Sequence, residues 1–114
     1  MKVRRVYEAP HPDDGQRVLV DRLWPRGLSK ERARVDVWLK EVAPSTGLRR
    51  WYHAGGSWDE FQERYLAELQ ANPDPVQTLE RLRGQGPVTL LYGIKDAKRN
   101  HALLLREFLI SVGR

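Results

Sequence analysis

The sequence predicts an α/β fold built on a small, mainly parallel sheet of about three strands flanked by helices. Two continuous apolar runs, Val18-Leu19-Val20 and Val88-Thr89-Leu90-Leu91-Tyr92, have the composition of strands covered on both faces. Helical stripes fill the stretch between them and follow the second, which is the alternation that brings strands side by side in parallel. With 114 residues, no repeat and no long linker, the chain has room for one domain spanning residues 1–114.

Val3 to Tyr7 reads as a short first strand with polar interruptions, suited to a sheet edge. Turn chemistry follows from Pro10 to Gly15, and Val18-Leu19-Val20 then runs into Asp21, Leu23 and Trp24 as a central strand. Val35, Trp38, Leu39 and Val42 recur at helical spacing, which predicts a helix capped by Ser29 or Asp36 and ended by Pro44. Leu48, Trp51 and Tyr52 suggest a short helix after Ser45-Thr46-Gly47. Ser57 and Glu60 have capping-box spacing, with Trp58, Phe61, Tyr65 and Leu69 as the apolar face behind them. Asp74-Pro75 reads as cap and first position of another helix carrying Val76, Leu79 and Leu82, stopped by Gly84 and Gly86. Pro87 opens the second central strand. Asp96 or Asn100 caps a last helix whose Leu104, Leu105, Phe108, Leu109 and Val112 form a wide apolar stripe.

Composition narrows the function classes. The chain has no cysteine, which removes disulfides, thiolate metal sites and a cysteine nucleophile. No apolar run is long enough to span a membrane, and the start lacks the apolar stretch of a signal peptide, so a cytoplasmic protein with no membrane partner is expected. Residues 1–56 hold twelve basic and seven acidic side chains, whereas the second half is balanced, so the first half carries the whole net charge of +5. An anionic partner fits that surplus: a metabolite bearing phosphate or carboxylate, a nucleotide, or nucleic acid.

In parallel sheets, ligands sit outside the carboxyl ends of the strands, where loops and helix N-termini present amides and varied side chains. Both apolar strands end in polar clusters. One is Asp21-Arg22-Leu23-Trp24-Pro25-Arg26-Gly27 and the other Gly93-Ile94-Lys95-Asp96, followed by Asn100-His101. Should the strands lie side by side, these clusters meet over one crevice. Arg22 and Arg26 have the forked donors that clamp an anion, Lys95 adds a point charge, and Gly27 and Gly93 let backbone approach a ligand. Trp24 and Asn100 complete the binding set. Asp21 and Asp96 are candidates to position or deprotonate, and His101 is the acid-base candidate, which would serve hydrolysis or group transfer.

Each of these residues also has a plain structural reading. Asp21 pairs naturally with a neighbouring arginine, Asp96 with helix amides, and Trp24-Pro25 with a turn. No GxxxxGK[ST] or GxGxxG loop occurs, and no cofactor is assigned. His11, His53 and His101 are scattered, without the spacing of a metal site, and no GxSxG supports serine catalysis. Arg49-Arg50-Trp51-Tyr52-His53 mixes bases and aromatics as nucleic-acid surfaces do. A nucleic-acid-binding or regulatory module using the basic first half is therefore the alternative, and a protein-protein adaptor the third reading.

Arg17-Val18-Leu19-Val20-Asp21-Arg22-Leu23-Trp24-Pro25-Arg26-Gly27-Leu28-Ser29-Lys30, Trp38 to Ser45 and Thr89 to Tyr92 resemble the YeaO-like family, a domain of unknown function (DUF488). The resemblance runs from Val6 to Leu109. It implies a small α/β protein in the cytoplasm, with no settled activity, and it carries over Asp21, Arg22, Trp24, Pro25, Arg26, Gly27, Lys95, Asp96, Asn100 and His101. Gly93-Ile94 stands where relatives usually have two alanines, and Ala54-Gly55-Gly56 where they often have a second histidine after the position of His53.

Overall fold

Four strands, β1 (Lys2–Arg5), β2 (Gln16–Leu19), β3 (Val37–Trp38) and β4 (Val88–Tyr92), form one sheet in the order β1-β4-β2-β3. All three pairings are parallel. The structure is a computed structural model that describes residues 1–112. Five helices complete it: α1 (Lys30–Ala33), α2 (Thr46–His53), α3 (Trp58–Ala71), α4 (Pro73–Gly84) and α5 (His101–Val112). Among the described residues no helix is long and apolar enough to cross a membrane.

The two apolar runs are the inner strands, and β1 takes an edge beside β4. Their side chains divide by parity, as a pleated strand requires. Val18 and Val20 with Val88, Leu90 and Tyr92 face α2 through α5 in the larger core, where Phe61, Tyr65, Leu79, Leu105 and Leu109 fill the space. Leu19 and Leu91 face the other way, against Val6, Ala33, Trp24, Leu28 and Val35. Burial on both faces is why these strands read as unbroken apolar runs.

The sheet has four strands rather than about three because the stretch expected to be helical from Val35 to Val42 is not. α1 ends after Ala33, where Arg34 takes a left-handed conformation with φ 48° and ψ 50°. The chain then runs alongside β2: the Asp36 amide donates to the Arg17 carbonyl at 2.8 Å, and the Asp36 carboxylate accepts from the Arg17 amide at 2.8 Å. Leu39 continues the pairing to Leu19. An unpaired row of backbone groups on β2 outweighs a two-turn apolar coincidence, and two β-branched valines suit the extended form. Leu39 and Val42 remain buried as their spacing implied, but through a 3-10 turn at Lys40–Val42, while Trp38 stays part-exposed.

The serine caps follow the sequence, although only the Ser57 half of the expected capping box forms, the Glu60 carboxylate pairing with Arg64 instead. The hydroxyls of Ser29, Ser45 and Ser57 accept the amides of Arg32, Leu48 and Glu60, opening α1, α2 and α3. α4 starts at Pro73, slightly ahead of the expected Asp74-Pro75. Asn100, not Asp96, caps α5, with its side-chain oxygen accepting the Leu103 amide at 3.0 Å.

Candidate functional site

A cleft of about 240 Å³ opens at the carboxyl ends of β2 and β4, between the loops that leave those strands and the helices α2 and α3. Asp21, Asn100 and His101 line it, so the expected meeting of the two polar clusters does occur there. The contact is direct. His101 Nε2 lies 2.9 Å from the Val20 carbonyl oxygen and 3.2 Å from Asp21 Oδ1. The aligned hydrogen bond goes to Val20, which leaves Asp21 Oδ1 close to the ring but without a hydrogen-bond partner among the described residues. Asp21 Oδ2 accepts the Gly93 amide at 2.8 Å and thereby ties the end of β2 to the end of β4.

Local sequence explains why these groups converge. The β2 and β4 strands end one residue apart in register, with Leu19 opposite Leu91. Asp21 and Gly93 therefore emerge together. A Cβ on Gly93 would stand 2.9 Å from Asp21 Oδ2, so glycine leaves the carboxylate its close approach. Asn100 caps α5 and its amide group donates to the Asp96 carbonyl, which fixes the first turn and aims His101 back at β2. The edge of the His101 ring meets the buried ring of Tyr65, with centroids 6.0 Å apart. Burial pushes the Tyr65 hydroxyl well above its ordinary pKa, and that hydroxyl donates to the Val42 carbonyl at 2.7 Å. Removing the Asp21 carboxylate by Asp21→Ala should cost about 1–3 kcal/mol in chemical denaturation, because the Gly93 amide loses its acceptor; a change under about 0.5 kcal/mol would count against this link.

The remaining expected residues lie elsewhere. Arg22 does not face the cleft: its guanidinium donates to the Pro44 and Ala43 carbonyls at 3.2 and 3.1 Å and lines a separate depression with Glu41, Ser45 and Glu68. Trp24 packs beneath the opposite face of the sheet and donates to the Leu28 carbonyl. Arg26 is exposed, with its carbonyl taken by the Tyr7 hydroxyl, and Gly27 makes the left-handed turn after it at φ 73°. Lys95 is exposed beside the cleft without lining it. Asp96 is exposed too. The Lys98 and Arg99 amides hold its carboxyl below the usual carboxylate range, so it serves as the acceptor of a turn.

The basic side chains that do line the cleft, besides His101, are Arg49, His53 and Arg99. Arg49 and His53 come from α2, within the aromatic-basic stretch read as a nucleic-acid surface. Arg99 comes from the loop before α5, where nothing in its spacing marks it. None of the three arginines Arg49, Arg50 and Arg99 has its guanidinium in an ion pair or hydrogen bond among the described residues. Arg17, Arg22 and Arg64, by contrast, are each engaged. Tyr52, Trp58 and Phe61 form an aromatic wall, with Tyr52 4.8 Å from Phe61 and Trp58 stacked on Phe61 at 5.3 Å between centroids. No group of three metal-ligating side chains occurs among the described residues.

Comparison with known proteins gives relatives over nearly the whole chain. A family profile described as the inactive DUF488-N3 subclade matches residues 1–112. The uncharacterized protein YeaO of Escherichia coli is 42% identical over 113 residues, covering 98% of each chain. The uncharacterized protein Rv3073c of Mycobacterium tuberculosis is 46% identical over 110 residues, covering 96% of this chain and 92% of its own. No solved structure matches the chain.

Proposed function

The chain belongs to the YeaO-like DUF488 family, and on that premise we propose that it binds an anionic small molecule carrying a flat ring, such as a nucleotide, in the strand-end cleft. One observation carries the reading: uncommitted cationic side chains and an aromatic wall converge over a single recess at the carboxyl ends of parallel strands. Arg49 and Arg99 hold the phosphate or carboxylate through forked donors, with His53 beside them. Tyr52, Trp58 and Phe61 offer the ring a stacking surface. Asp21 and His101 form the polar floor. The Nε2 contact to the Val20 carbonyl places a proton on Nε2 and leaves Nδ1 free of that bond.

Binding is favoured over turnover. The subclade is described as inactive, and the floor histidine spends its Nε2 proton on a backbone carbonyl rather than on a nucleophile. The test is calorimetry and thermal shift with inorganic phosphate, mononucleotides and dicarboxylates. A mononucleotide should raise the melting temperature, and Arg49→Ala and Arg99→Ala should each weaken it about tenfold while leaving the unliganded melting temperature within about 2 °C, since neither side chain is tied into the fold. A wild-type protein indifferent to every anion, or variants that bind as tightly as wild type, would refute the reading.

A further inference from the structure

The cleft does not close at its outer end. Leu23, Arg49 and His53 also line a second, shallower depression of about 400 Å³, which continues over α2 past Thr46 and Arg50. A recess made for one discrete molecule has no need of that extension. Arg50 projects there from the exposed face of α2, and no carboxylate among the described residues pairs with it. On the other side of the cleft the loop between β4 and α5 adds exposed Lys95, Lys98 and Arg99. Asp96 in that loop has its Oδ1 occupied by the Lys98 and Arg99 amides.

From this continuity we propose that the groove accommodates a single-stranded nucleic acid, with one unpaired base in the aromatic cleft and the following phosphates along Arg49, Arg50 and His53. This extends the small-molecule reading, since one nucleotide of the strand occupies the same recess. The charge arrangement suits a polyanion: cations flank the cleft on two sides, and the bases offer flat faces to Tyr52 and Trp58. A duplex fits poorly, because its bases stay stacked and cannot enter a recess behind the helix surface. The surface draws on both halves of the chain, and the loop cations come from the half without a net surplus.

Fluorescence anisotropy with a short labelled oligothymidylate, alongside calorimetry with thymidine monophosphate, tests it. The oligonucleotide should bind in the micromolar range and weaken by about tenfold or more between low and high salt. Arg50→Ala should weaken the oligonucleotide about threefold or more yet leave the mononucleotide unchanged, because Arg50 lines only the outer groove. Trp58→Phe should weaken both. Mononucleotide binding without oligonucleotide binding would overturn this proposal and leave the small-molecule reading standing. Oligonucleotide binding that depends on Arg50 and Trp58, with no mononucleotide binding, would support the proposal and refute the small-molecule reading. Equal affinity for duplex, or equal competition by oligoglutamate, would show mere charge attraction and overturn the proposal, as would an Arg50→Ala variant that binds like wild type.

Discussion

Replacing Asp14 by alanine should destabilise the protein by about 3–5 kcal/mol, more than any substitution in the candidate site. Asp14 is 1% exposed and its carboxylate is the hub of the amino end of the sheet. It accepts from Arg17 at 2.5 Å and from the His11 amide at 3.0 Å, and Arg4 Nε stands 2.9 Å from its other oxygen. Its own carbonyl accepts the buried Thr89 hydroxyl at 2.7 Å. Arg17 is 4% exposed and also donates to the Ala33 and Arg34 carbonyls. Alanine would leave that guanidinium buried without its counter-charge, and the uncompensated charge accounts for most of the loss.

The same cluster sets a pH dependence. Burial works to raise the Asp14 carboxyl, but the His11 amide, Arg17 and Arg4 outweigh it, and its pKa in the folded protein is lowered. A carboxyl that binds its proton less readily when folded adds stability above its unfolded pKa of about 3.9, and that contribution fades as pH falls toward the lower folded value. The gap in unfolding free energy between wild type and Asp14→Ala should therefore be full at neutral pH and narrow below about pH 4. Urea titrations across that range measure it. A gap that is constant with pH, or under about 1 kcal/mol at pH 7, would contradict the account.

Gly15→Ala should be nearly as damaging, at about 3 kcal/mol or more. Gly15 has φ 63° and ψ −139°, a conformation L side chains rarely enter, and an added Cβ would meet the Pro87 carbonyl oxygen at 2.2 Å. That oxygen cannot retreat cheaply, because it accepts the Gln16 amide at 3.0 Å where β2 and β4 begin their pairing. Gly27 offers the control. It too has a positive φ, 73°, but its Cβ position is open, so Gly27→Ala should cost only about 1–2 kcal/mol. Equal losses for the two variants would show that conformation alone, not the approach of the two strands, makes Gly15 necessary.

How much of this could be read from residues alone differs from place to place. The inner strands were plain because burial on both faces leaves an unbroken apolar run, and the rule for parallel sheets then brought Asp21 and His101 to one rim. Arg22 shows the limit. Its guanidinium satisfies the Ala43 and Pro44 carbonyls of a distant turn, and nothing in a linear string tells a structural donor from a ligand donor. Arg99 shows the reverse, since a cation becomes a cleft residue only through the path of a loop. The stretch around Trp38 misled because Leu39 and Val42 are buried as a helix would bury them, whereas an open edge on β2 drew the backbone out straight.

The order β1-β4-β2-β3 places the last strand of the chain between the first two. During synthesis, β1 has no strand partner until β4 emerges, and β2 has only the two-residue β3 beside it until then. The strand-end recess is a late product in the same sense. Its floor needs Asp21, which emerges early, and His101, which follows β4, so a polypeptide cut before α5 would lack the recess.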